Sequence, residues 1–88
     1  MNEEVPTKVY PNPTQGQLTV VFTSFNGGNY EIAVTDMTGK RVLVKTFYAK
    51  SGLNLHEMEL ENATPGMYML HLKSPEGVIT VTKIAVEK

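Results

Sequence analysis

Apolar and polar residues alternate along most of this chain with a period of two, and Gly, Pro, Asn and Asp interrupt the pattern at short intervals. Successive side chains of a strand point to opposite faces, so this alternation predicts half-buried β-strands rather than helices. Leu18, Val20 and Phe22 share one face of a strand over 17–23, and Tyr30, Ile32 and Val34 share one face over 30–36. Tyr68, Leu70 and Leu72 do the same over 66–73. A strand over 53–60 sets His56, Met58 and Leu60 against Glu57, Glu59 and the following Glu61, which form a solvated face. A strand over 40–48 takes Val42 and Val44 as its core residues, and a short one over 8–10 opens the series. The last, over 78–86, carries apolar residues on both faces, which predicts a central strand or one covered on both sides.

The interruptions read as turns. Asp36-Met37-Thr38-Gly39 has Asp and Gly at the first and fourth positions of a type I turn, and Ser74-Pro75-Glu76-Gly77 has Pro at the second. Asn26-Gly27-Gly28-Asn29 tolerates positive φ. Pro11 lacks an N–H and Pro13 restricts Asn12, so Tyr10-Pro11-Asn12-Pro13-Thr14-Gln15-Gly16 forms a stiff corner leaving the first strand. Seven short strands with turns between them predict an all-β fold, an immunoglobulin-like antiparallel β-sandwich. Tyr68, just inside the sixth strand, is placed for a tyrosine corner, in which the phenol bonds back to the crossover before it. The Cys–Trp–Cys core of antibody domains is absent, as the chain has neither Cys nor Trp.

Composition narrows the function. Eighty-eight residues make a single domain. Eight Lys/Arg against nine Asp/Glu, without a block of either sign, offer no basic face for nucleic acid. No apolar run approaches the ~20 residues needed to span a bilayer. The polar, acidic start of the chain lacks the basic and apolar regions of a secretory leader. Two readings follow: a small cytoplasmic protein, or a piece of a longer one in which residues 1–7 are a linker or a start made at an internal point.

Convergent chemistry is hard to assemble. His56 and His71 fall on separate strands with no third ligand at metal-binding spacing, and they read as structural or surface histidines. Asp36 and Ser51 complete a catalytic triad only on paper, since no nucleophile elbow surrounds the serine. Gly27-Gly28 precedes no helix that would cradle phosphate. The expectation is a protein that is not an enzyme and needs no cofactor or metal. Met67 and Met69 lie opposite the core face of their strand, where they form either a soft exposed patch or a covered one. Phe25 and Tyr48 stand at strand ends; without Trp they make a weak case for a sugar platform.

The ordered set of motifs is more telling than any one of them. Pro11, Asn12, Pro13 and Gly16 come first, then Gly39 and Lys40, then Gly66 and Tyr68, then Lys83, Ile84, Val86 and Lys88. In order, spacing and position this set resembles the C-terminal sorting domain (type A) of proteins exported by the type IX secretion system of Bacteroidetes. The resemblance covers 8–88, with Ala63 standing where the family usually has a leucine before the crossover.

The resemblance implies a non-catalytic sorting signal that directs a covalently fused N-terminal cargo through the type IX outer-membrane translocon. It further implies removal by a sortase-like cysteine protease, passage through the periplasm, and arrival at the outer membrane, the cell surface or the medium. The alternative reading is an adhesive or carbohydrate-binding β-sandwich module of a surface protein. Strand addition at an exposed edge is the expected mode of recognition, with Lys83 and Lys88 facing the receptor and Ile84 and Val86 in the core. Pairing of two copies through edge strands, to give a homodimer, is also open to such a fold.

Overall fold

A computed structural model describes residues 7–61 and 63–88. Its strands are β1 (Thr7–Tyr10), β2 (Gln17–Ser24), β3 (Gly28–Asp36), β4 (Arg41–Ala49), β5 (Gly52–Glu59), β6 (Gly66–Lys73) and β7 (Ile79–Val86). Thr7 opens β1, and the rest of the linker expected over 1–7 lies outside the described residues. The strands form two antiparallel sheets, ordered β1-β2-β5 and β4-β3-β6-β7, in the sandwich arrangement expected of an immunoglobulin-like fold.

The core lies between the sheets, where the strictly alternating strands place it. Leu18, Val20 and Phe22 of β2 face Tyr30, Ile32 and Val34 of β3 and Tyr68, Leu70 and Leu72 of β6, and all are buried. Ile84 and Val86 of β7 join it, as do Val9, Met58 and Leu60. Burying side chains of this size stabilises by about 1.5–3 kcal/mol each. Rings order one end of this core: Phe22 and Tyr30 have centroids 4.8 Å apart, and Phe47 lies 5.9 Å from Phe22.

Two expectations fail, both at sheet edges. Val42 and Val44 are not core residues; they are 41% and 44% exposed. The β3–β4 register pairs Val34 with Leu43 but Thr35 with Arg41, so a bulge absorbs Val42 and shifts the parity of the strand. Leu43, Phe47 and Ala49 consequently turn inward. Lys45 takes the same row, directly opposite Ile32, yet β4 is an edge strand and its side chain stays exposed. The second failure is β7, which is an edge strand and not a central one. Its outward-facing Ile79 and Val81 are 55% and 47% exposed.

Candidate functional site

The motif residues converge on one end of the sandwich. The corner after β1 crosses from one sheet to the edge of the other, and both of its X–Pro bonds, Tyr10-Pro11 and Asn12-Pro13, are cis. Asn12 then lies beside β7. Its Nδ2 donates to the Lys83 carbonyl at 2.9 Å, and its Oδ1 accepts from the Ala85 N–H at 3.0 Å. One carboxamide thus supplies the donor and the acceptor that a neighbouring backbone would supply. Thr14 continues the ladder: its N–H donates to the Ala85 carbonyl at 2.9 Å, and its carbonyl accepts from the Glu87 N–H at 2.8 Å. The pairing at Thr14 and Val86 is parallel.

Thr14 is 2% exposed, and its hydroxyl donates to the Gln17 carbonyl and accepts from the Gly16 N–H. The Gly16 carbonyl in turn accepts from the Leu60 N–H at 2.8 Å. Pro11, Asn12 and Pro13 remain on the surface, so the corner is rigidly tied yet accessible.

The hairpin between β3 and β4 is built on Asp36. Its Oδ1 accepts from Thr38 N at 2.9 Å, Thr38 Oγ1 at 2.6 Å and Lys40 N at 3.0 Å. These bonds, the Thr38 hydroxyl first among them, hold its carboxyl below the ordinary aspartate range. Gly39 has φ of 91°, a conformation that a side chain would strain. Lys40 projects into solvent beside it.

Asp36 pairs with Tyr68 across β3–β6, and Tyr68 pairs with Ile84 across β6–β7. The tyrosine corner is formed: Tyr68 Oη donates to the Thr64 carbonyl at 2.6 Å. Gly66, with φ of 150°, pairs with Val86 at the mouth of the hairpin. The corner, the Asp36 turn, the tyrosine corner and the end of β7 therefore sit side by side, although their residues are spread over the whole chain. Ile84 and Val86 point inward and are buried, whereas Lys83 and Lys88 are exposed.

The histidines take no part in this end of the molecule. His56 stacks on Phe47 with centroids 4.1 Å apart and an interplanar angle of 14°. Burial, and then the charge of Lys45, push its pKa below the ordinary value. Its Nε2 is buried with no hydrogen-bond partner among the described residues. His71 lies on the other side of the four-stranded sheet, where its Nε2 is 3.5 Å from Thr35 Oγ1 in a shallow groove bordered by Arg41, Lys73 and Ile79. Among the described residues no group of three or more His, Cys, Asp or Glu is placed to hold a metal ion. Met67 and Met69 are partly open on the outer face of the same sheet, and Phe25 and Tyr48 are 62% and 73% exposed.

Sequence reasoning missed Thr14 and the direct bond between the two ends. A Thr between Pro and Gln reads locally as one more turn residue, and nothing nearby announces a partner in the last strand.

The model of the family described as "Secretion system C-terminal sorting domain" matches residues 8–87, which span the fold from β1 to the end of β7. No curated protein matches the chain.

Proposed function

The chain belongs to the family of type IX secretion system C-terminal sorting domains, and from that premise we propose how this member is read and processed. As a sorting signal it serves export of a cargo fused on its N-terminal side, through the outer membrane to the cell surface or beyond. In our reading, residues 8–88 are the sorting unit. The outer-membrane translocon meets the domain in the periplasm at the exposed Lys83 and Lys88. A sortase-like cysteine protease then cuts within 1–7 or in the cargo before it. Pro11, Asn12, Pro13 and Gly16 position the segment that is read, as do Gly39, Lys40, Gly66 and Tyr68, and Ile84 and Val86 anchor it in the core.

The observation that supports this reading is the convergence of the motifs. Asn12 and Thr14 bind the backbone of 83–87, and Tyr68 flanks Ile84 in the sheet, so the end of β7 is held in one fixed presentation. Preorganisation of this kind lowers the ordering cost of binding whatever the cargo.

The test fuses the chain to a periplasm-directed fluorescent protein in a host with type IX secretion. Deleting 83–88 is a poor comparison, because it removes the fully buried Ile84 and Val86 and would unfold the domain. The Lys83→Glu/Lys88→Glu variant leaves the core intact. Surface delivery of the parent fusion with periplasmic retention of the folded variant supports the reading. Delivery of both refutes recognition through the lysines, and retention of both refutes sorting by these residues.

A further inference from the structure

Among the described residues, the outer edge of β7 is closed along its second half and open along its first. In an antiparallel ladder the N–H and C=O of one residue point the same way, and alternate residues point oppositely. Ser74 N donates to the Val78 carbonyl at 2.9 Å, so the even-numbered residues of β7 face β6 and the odd-numbered ones face outward. The bonds of Lys83, Ala85 and Glu87 to Asn12 and Thr14 agree with that parity. Upstream the chain has turned away at Pro11 to pair β1 with β2, and among the described residues the outward groups of Ile79 and Val81 and the N–H of Lys83 have no partner.

From this geometry we propose that β7 accepts a parallel or antiparallel strand from an acidic, extended segment of the export machinery, added at 79–83 beside the Asn12–Thr14 segment. The inference rests on the sorting function proposed above and moves the point of contact upstream of Lys88.

The occupant's chemistry follows from what surrounds the open row. Val78, Ile79 and Val81 are 64%, 55% and 47% exposed, which supplies apolar contacts for alternate side chains of an added strand. Across β6–β7, Ile79 neighbours Lys73, Val81 neighbours His71, and Lys83 stands next in line on the same face. Glu31, opposite Lys73, is the one acidic residue paired into these rows, so the platform is cationic and complements an acidic strand.

The other long edges are guarded only in part, β4 at Lys45 and β5 at its start. On β4, Lys45 points inward opposite Ile32, a device that discourages edge pairing. On β5, the Asn54 carboxamide already occupies the carbonyls of Lys50 and Gly52. The chain itself demonstrates addition to β7, since Asn12–Thr14 is such a strand in miniature.

The experiment uses the same fluorescent fusion with three variants. Val81→Pro removes one outward N–H while leaving the bonds to β6 in place, as proline is tolerated on an edge strand. Ile79→Glu and Ile79→Lys place opposite charges on the open row without touching the core. Thermal unfolding verifies that each is folded, and the Ile79 pair decides the matter if the proline variant is not.

The expected result is a loss of surface delivery of about tenfold for Val81→Pro and Ile79→Glu, the size that one or two interfacial hydrogen bonds carry, with Ile79→Lys retaining most delivery. Parent-like delivery by folded Val81→Pro and Ile79→Glu overturns strand addition at this edge while the sorting function stands. Equal behaviour of the two Ile79 variants overturns the acidic partner. Retention of the parent fusion overturns the sorting function and this inference together.

Discussion

Asn12 and Ala85, 73 positions apart, are joined by a bond from the Ala85 N–H to the Asn12 side-chain oxygen at 3.0 Å. The same carboxamide donates to the carbonyl of Lys83, so a single side chain does the work of a strand residue at the edge of the sheet. Asn12→Ala removes both bonds at a solvent-accessible edge, where water replaces part of what is lost. Destabilisation of about 1–2 kcal/mol is expected, read as a lower urea midpoint with an unchanged m-value. Asn12→Asp keeps the acceptor but sets a carboxylate against the Lys83 carbonyl, and is expected to be no better than alanine.

Tyr68→Phe isolates the hydroxyl that bonds the Thr64 carbonyl, since the ring stays in its buried site. A loss of about 1–2 kcal/mol is expected, which for a domain of this length lowers Tm by roughly 4–16 °C. A Tm unchanged within 2 °C, roughly the resolution of the transition, would remove the tyrosine corner from the account of stability.

The register of β4 is tested by contrast. Val42→Ala and Val44→Ala, both on the exposed row, are expected to change stability by no more than about 0.5 kcal/mol. Ile84→Ala and Phe22→Ala, both fully buried, are expected to cost about 2–5 and 3–5 kcal/mol. A large loss at Val44 would mean that the bulge at Val34 and Thr35 is misplaced.

Acid should loosen the fold in two stages. Burial and Lys45 hold the pKa of His56 below 6.5, so the folded state favours its neutral form. Stability from this source is complete above about pH 6.5 and declines as pH falls below it, because the unfolded chain takes up the proton first. His56→Phe, which preserves stacking on Phe47, should flatten the urea midpoint between pH 7.5 and 5.5, the window around the unfolded histidine pKa of roughly 6.5. Asp36 acts lower on the scale. Its carboxyl is held below 3.8 by Thr38 and by the Lys40 N–H, so its contribution is present above that value and fades as pH falls through the folded pKa. Asp36→Asn should remove that later stage alone.

How far the fold could be read from sequence depended on alternation. In 18–22 and 68–72 Leu18, Val20, Phe22, Tyr68, Leu70 and Leu72 hold one parity, and the structure buries them as expected. Arg41-Val42-Leu43-Val44 does not alternate, so only the long-range register with β3 could decide which residues turn inward. For β7, apolar residues on both faces looked like burial, but at a sheet edge they are surface. The candidate site was legible as a set of turn residues: the Asp36 hairpin and the Tyr68 corner carry local signatures. The meeting of Asn12 and Thr14 with 83–87 carries none, since its partners lie at the far end of the chain.

That meeting has a consequence for when the domain becomes legible to a receptor. Synthesis makes Asn12 long before Ala85, and until the segment 83–87 has emerged Asn12 and Thr14 lack the partners they clasp. A ribosome that stalls, or a protease that clips the chain short, leaves the clasp unmade and the last strand unpresented. Any chain that stops short of 83–87 thus lacks the bonds that hold the end of β7 in one presentation.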